Sequence, residues 1–335
     1  MLNILKQVNE RIDCSYDSLM DDILCSKEPL IFRGLINDWP LVKEGRVSDQ
    51  AADKYLRDYY NQQPVHLMSG SPGIRGRFFY NDDLSGFNFL RENTALTTVL
   101  DKISTQASEP NPSSYYVGST SINHILPGFR EKNDIPALKD KPLVSIWIGN
   151  QSRIAAHYDV TDNVAAVAVG KRRFTLFPPE QLDNLYVGPL DFTPAGQPAS
   201  LVDFHQPDFD RFPRFREALK SAQVAELNAG DAIFIPSMWW HHVEGLSKFN
   251  VLVNYWWRQV GHHLGAPADA LNHALLSIRD LPEEQRAAWR NIFEHYVFSP
   301  QPNEHIPPQR RGSVGAIDET LARQLRAQLI NKLNR

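Results

Sequence analysis

The stretch GDAIFIPSMWWHH, residues 230–242, decides how the rest of the chain is read. Gly230 and Asp231 signal a turn, the apolar run from Ala232 to Ile235 reads as a strand, Pro236 interrupts it, and His241 and His242 close the stretch. Four runs of similar character surround it: LVSIWIG (143–149), NVAAVAVG (163–170), RRFTLFPP (172–179) and NVLVNYWW (250–257). Short strands parted by Gly, Pro and polar turns, with no regular alternation of helices, predict an antiparallel sandwich or barrel. The expected fold is mainly β with α, built on a jelly-roll core over about 141–258. A Pro-, Asp- and Phe-rich insertion at about 178–226 interrupts that core.

The flanks differ from the centre. Residues 1–140 mix elements that are expected to wrap the core. Leu5, Val8 and Ile12 share one face of a short helix, and EPLIFRGLINDWP (28–40) reads as a strand and a turn. Ser48 is an N-cap for a helix carrying Ala52, Tyr55, Leu56 and Tyr59, and PVHLMS (64–69) is extended. SGSPGIRGR (69–77) is a mobile loop by composition, a plain connection or a lid. Residues 259–335 turn helical, with stripes at Leu271, Leu275 and Ile278, at Trp289, Ile292, Phe293, Tyr296 and Val297, and at Leu321, Leu325, Leu329, Ile330 and Leu333. Such stripes pack on the core or form a homodimer interface.

Bulk properties narrow the classes of function. With 335 residues and a hydrophobic fraction of 42 %, the chain can bury a large core. A net charge of −4 without long runs of one sign gives no footprint for DNA or anionic lipid. Only Cys14 and Cys25 are present, too few for a disulfide framework, which makes a reducing, cytoplasmic setting the expectation. The amino terminus lacks the apolar stretch of a signal peptide. The longest apolar run, Val164 to Val169, falls far short of the roughly 20 residues that span a bilayer.

The chemistry lies in His157-Tyr158-Asp159. In a strand, residues i and i+2 point to one side, so His157 and Asp159 can enter the lumen together while Tyr158 turns away. A third ligand must come from a distant strand, and the WWHH stretch supplies an imidazole. Two adjacent histidines cannot both face the lumen, and periodicity alone does not choose between His241 and His242. Two imidazoles and a carboxylate are the ligand set that leaves one face of an iron(II) ion open. The remaining histidines, among them His205, His262 and His263, are expected at the surface or in supporting positions.

HYDVTDN (157–163), GKRRFTLFPPEQ (170–181), VDFHQPDFDRFPRF (202–215), GDAIFIPSMWWHHVE (230–244) and VNYWW (253–257) together resemble the cupin-like JmjC-type oxygenases, most closely their asparaginyl-hydroxylase branch. The resemblance implies a double-stranded β-helix (cupin/JmjC) that uses iron(II), 2-oxoglutarate and dioxygen to hydroxylate a protein side chain or small molecule, with release of succinate and carbon dioxide. Carried over by position, the catalytic metal ligands are His157, Asp159 and, from its place in WWHH, His242. Arg172 stands where the family has a lysine that anchors the far carboxylate of 2-oxoglutarate. Tyr116, Asn163 and Asn254 fall at cosubstrate positions, and Ile154 replaces a threonine that contacts it. Lys171 or Arg173 could serve in place of Arg172 if the strand alternates the other way. Tyr115, Trp239, Trp240 and Trp256 are candidates for the pocket wall. The departures at Arg172 and Ile154 leave two rival readings, a catalytically silent binding module and a metal cupin that works without 2-oxoglutarate.

Overall fold

A computed structural model describes residues 2–334 apart from 3, 5, 13, 139–142, 195 and 300–302. It divides into two units, Met1–Trp257 and Arg258–Arg335. In chain order the strands of the first unit are β1 (Asn9–Arg11), β2 (Leu30–Phe32), β3 (Val65–Gly70), β4 (Arg77–Phe78), β5 (Leu90–Thr94), β6 (Ser114–Ser121) and β7 (Leu143–Gly149). They continue with β8 (Ser152–Tyr158), β9 (Asp162–Val169), β10 (Lys171–Phe177), β11 (Gln223–Asn228), β12 (Ala232–Ile235), β13 (Trp240–Gly245) and β14 (Asn250–Trp257). Nine form one sheet in the order β1-β2-β12-β9-β14-β7-β6-β3-β5, and five form a second in the order β11-β10-β13-β8-β4. This is the jelly roll expected from the sequence, with flanking helices.

The two faces of each sheet bury different sequence. Between the sheets lie Ile154, Phe174, Leu176, Val243 and Leu252 with Ala165, Val167, Ile233 and Ile235. The far side of the large sheet packs on helices from the amino-terminal third, among them Pro40–Val47 and Asp49–Tyr59, through Trp39, Leu56 and Phe129. β9 is buried on both faces, which explains its unbroken run of Ala and Val. Ser48 caps the second of those helices as expected, its hydroxyl accepting from Ala51 N at 3.1 Å.

The far side of the small sheet is covered by the insertion. Phe204, Phe212 and Phe215 pack there on Phe177 and Trp240. That packing accounts for VDFHQPDFDRFPRF, whose aromatic spacing has no part in metal chemistry. Phe215 is fully buried, with its ring 5.0 Å from that of Phe204. Phe215→Ala is expected to lower the stability of this unit by about 3–5 kcal/mol, measured by urea unfolding.

Three local expectations need correction. The amino-terminal helix is not formed: Asn9–Arg11 instead pair in parallel with Leu30–Phe32, and Val8 N donates to Val224 O at 3.0 Å. Open backbone groups at the sheet edges outbid a weak three-residue stripe, while Leu5 lies outside the described residues. Residues 69–77 are no free loop. They end β3, make one 3₁₀ turn at Pro72–Ile74 and enter β4, which runs parallel to β8. Gly76 holds φ at +79°, and a Cβ there would stand 2.9 Å from Gln151 O, so the clip needs glycine. Third, residues 1–140 cover the core with helices and also add strands to its own sheet.

The second unit holds helices at Pro267–Ser277, Glu283–Phe293 and Glu319–Leu333. Several residues of the predicted stripes are exposed, including Leu271, Trp289, Ile292, Tyr296, Val297, Leu329, Ile330 and Leu333. Among the described residues no helix is long and apolar enough to cross a membrane.

Candidate metal centre and cavity

β13 lies antiparallel between β10 and β8, and His241 sits directly opposite His157. Paired residues of an antiparallel ladder share a face, so both imidazoles enter the space between the sheets, with ring centroids 4.4 Å apart. Asp159 follows the end of β8. Its carbonyl accepts from Met238 N at 2.8 Å, which staples the strand end to the turn leading into β13. Met238 takes φ of +69° to make that turn, a backbone state a side chain disfavours. A ligand atom from each of His157, Asp159 and His241 lies within 4.8 Å of the others, the one such group of three among the described residues.

The polarity of each ligand is set by its neighbours. His157 Nδ1 donates to Ala155 O at 2.9 Å, and His241 Nδ1 donates to Trp239 O at 3.0 Å. A carbonyl only accepts, so both rings carry their proton on Nδ1 and keep the Nε2 lone pair free for a metal. Burial first, then the neighbouring His157, depresses the His241 pKa to about 4, which keeps the ring neutral. Asp159 Oδ2 lies 3.7 Å from His241 Nε2 and accepts from Trp256 Nε1 at 3.0 Å and Asn163 Nδ2 at 3.3 Å. Asn254 Nδ2 in turn donates to Asn163 Oδ1 at 2.7 Å.

His242 is not part of this group. It points to the opposite side of the sheet, where its ring packs 4.7 Å from Phe204 and Glu244 lies close by. Among the described residues neither of its nitrogens has a hydrogen-bond partner, and burial depresses its pKa to about 4. The position carried over from WWHH was thus one residue too far, since strand alternation puts His241 with Val243 and His242 with Glu244. The signal was present in RRFTLF. Its lumen residues Phe174 and Leu176 pair with Val243 and His241, while polar Thr175 pairs with His242.

A cavity of about 820 Å³ opens beside the triad. Tyr116, Trp147, Ile154, Asn163, Arg172, Phe174, Asn254 and Trp256 line it together with His157, Asp159 and His241. Arg172 is 1 % exposed, and none of its three guanidinium nitrogens has a partner meeting hydrogen-bond geometry among the described residues. The Tyr116 phenol stands beside it. Burial lowers the arginine pKa and raises that of Tyr116, and each partly offsets the shift of the other. A buried, unpaired cation is costly, so this fold carries a standing demand for an anion at that end of the cavity. The alternatives face elsewhere: Arg173 pairs with Glu226 on the outer side, and Lys171 is exposed.

Of the aromatic candidates, Trp256 lines the cavity. Trp240 packs under the insertion, Trp239 joins the apolar cluster between the sheets, and Tyr115 packs toward the helices. His205 Nε2 contacts Glu244 Oε1 at 2.5 Å on the outer side, and His262 is exposed. Sequence reasoning missed Trp147, whose place two residues before Gly149 in β7 puts it on the lumen face, and whose indole N–H is buried without a partner. It also missed the rim, where Phe192, Pro194 and Gln197 of the insertion meet Phe87 and Arg91. Phe87 and Phe192 stack at 4.7 Å, and Arg91 Nη2 donates to Pro194 O at 2.8 Å. Nothing in the sequence signals contacts between segments so far apart.

These donors suit a divalent metal and a carboxylate. Two imidazoles and one carboxylate come together, and a buried guanidinium with no carboxylate partner among the described residues lines the same cavity. The chain is 34 % identical over 116 residues to lysine-specific demethylase JMJ31 of Arabidopsis thaliana, covering 34 % of this chain and 21 % of that protein. It is 32 % identical over 145 residues to tRNA wybutosine-synthesizing protein 5 of Mus musculus, covering 39 % and 43 %. It is 25 % identical over 252 residues to lysine-specific demethylase 8 of Xenopus tropicalis, covering 72 % and 51 %. The matches thus span between about a fifth and about a half of those relatives. None of the three is named an asparaginyl hydroxylase, so they support the wider JmjC-type group and not that branch. The cupin-like domain is matched over residues 17–263, and with most of its length inside that match the chain belongs to the cupin-like domain family.

Proposed function

We propose that this protein is an iron(II)- and 2-oxoglutarate-dependent oxygenase that hydroxylates a protein side chain or a small molecule. The observation that carries the reading is Arg172, a buried guanidinium with no carboxylate partner among the described residues, lining the same cavity as the triad. One end of a keto dicarboxylate would reach the metal and the other would satisfy the arginine. His157, Asp159 and His241 would hold the iron. Iron with 2-oxoglutarate and dioxygen supplies an oxidant able to insert one oxygen atom into a C–H bond, the other going into succinate as carbon dioxide leaves.

The chain's own groups do the rest. Arg172 binds the far carboxylate, and the Tyr116 hydroxyl, already at its side, is placed to bind it as well. Phe174, Leu252 and Trp147 wall the cavity with apolar surface that keeps water from the reacting atoms. Ile154 offers no hydroxyl, so the cosubstrate depends more heavily on Arg172.

Purified protein given iron(II), ascorbate and 2-oxoglutarate is expected to form succinate. Wild-type protein that binds neither iron nor 2-oxoglutarate would refute the reading. Tight 2-oxoglutarate binding without succinate would favour the silent binding module, and insensitivity to N-oxalylglycine would favour a cosubstrate-independent cupin. The exposed stripes on the carboxy-terminal helices support a homodimer through that region, with light scattering expected to give twice the chain mass.

A further inference from the structure

The nine-stranded sheet ends on β5, whose one strand partner among the described residues is β3. Every second residue of such an edge turns both its N–H and its C=O away from the partner. Leu90 to Asn93 are exposed, and beyond β3 no backbone group of Leu90–Thr94 bonds to any described residue. Two other edges are closed by the chain itself. Beside β11, Val224 N donates to Lys6 O and Val8 N to Val224 O, each at 3.0 Å, and beside β4, Asn88 Nδ2 donates to Arg77 O at 2.9 Å.

β5 also divides two hollows. Arg91 and Asn93 stand opposite Met68 and His66, and Arg91, Met68 and His66 line the cavity beside the triad. Leu90 and Glu92 face the other way, where Glu92 pairs with Lys102, and Leu90, Lys102 and Tyr115 line a second hollow of about 530 Å³. We infer that β5 docks an extended peptide as an added strand, and that the substrate is therefore a protein segment. The inference deepens the proposed function and rests on it. A main chain in strand conformation offers N–H and C=O groups at the spacing of this edge, and its side chains alternate as those of β5 do. One set lies over the mouth of the cavity, from which a target residue enters it, and the other lies over the hollow at Leu90 and Lys102.

Blocked peptides of randomised sequence, incubated with the full chain, iron(II), ascorbate and 2-oxoglutarate, are expected to include some that gain one oxygen atom by mass spectrometry. In such a peptide, methylating the backbone nitrogens one at a time removes a donor without touching a side chain. Turnover is expected to fall at alternate positions, about tenfold at each, with the positions between them unaffected. Hydrogen exchange followed by nuclear magnetic resonance is expected to slow at alternate amides of Leu90–Thr94, by about tenfold or more once free peptide exceeds its Kd about tenfold. Methylation effects without alternation, or unchanged exchange along β5, would overturn the inference. So would a wild type that forms succinate from 2-oxoglutarate yet oxidises no peptide, an outcome that leaves the proposed function standing and points to a small molecule. Protection along β5 that grows with protein concentration in the absence of peptide would seat a second copy there and overturn it as well. Wild-type protein that binds neither iron nor 2-oxoglutarate would overturn both readings.

Discussion

Replacing His241 by alanine is expected to leave a folded protein that no longer retains iron and forms no detectable succinate, whereas His242→Phe keeps both properties within about threefold. The contrast follows from the ladder: His241 faces His157 across β8 and β13, and His242 faces Phe204 on the other side. Three protein ligands are the minimum for such a centre, and removing one leaves a pair that competes poorly with water. His242 has no hydrogen bond to lose, and a phenyl ring fills the same slot against Phe204. Replacing an unsatisfied buried polar group by an apolar one of similar shape is neutral or stabilising, so His242→Phe should melt no earlier than wild type. Metal analysis after dialysis, succinate formation and a thermal melt on the two variants check the prediction. The opposite pattern, iron kept by His241→Ala and lost by His242→Phe, would move the centre to the other face of the sheet.

The second large effect concerns Arg172. Truncation to alanine removes the fully buried guanidinium that, among the described residues, this cavity offers to a carboxylate, a loss of about 2–5 kcal/mol for a desolvated charge pair. Titration calorimetry with 2-oxoglutarate on metal-loaded protein is therefore expected to show affinity reduced more than tenfold, with metal binding intact. Arg172→Lys should recover part of that loss, because an ammonium keeps the charge but not the planar fork. Since the truncation also removes a buried unpaired cation, the variant without ligand should be as stable as wild type or more so. Unchanged 2-oxoglutarate affinity in Arg172→Ala would remove the observation on which the proposed function rests.

The legible part of the chain was the part whose structure follows from its own periodicity. LVSIWIG, NVAAVAVG, RRFTLFPP, DAIFIP and NVLVNYWW all form strands, and the spacing of His157 and Asp159 anticipates their meeting. What escaped depends on partners far away in sequence. Asn9–Arg11 became a strand because Leu30–Phe32 had a free edge, and Arg77–Phe78 because β8 did. No local pattern announces an empty edge. The choice between His241 and His242 failed for a different reason. Adjacent residues differ only in which face they present, and a motif carried over whole conveys no face. The alternation of Phe174, Thr175 and Leu176 on the neighbouring strand contained the answer, available once the pairing is known.

The pairing of β8 with β13 slips between His241 and Val243, so that Ala155 and Ala156 together stand opposite the single residue His242. That surplus residue works like a reading frame. It allows Ile154 and His157, three positions apart, to look into the same cavity, and it turns Arg153 outward, where it meets Asp203. A deletion of one alanine here would remove no ligand and little volume, yet everything amino-terminal to it on that strand would change sides, carrying a guanidinium inward and an isoleucine out. The distance along the chain from wall to metal is thus as much a part of the centre as the three side chains that form it.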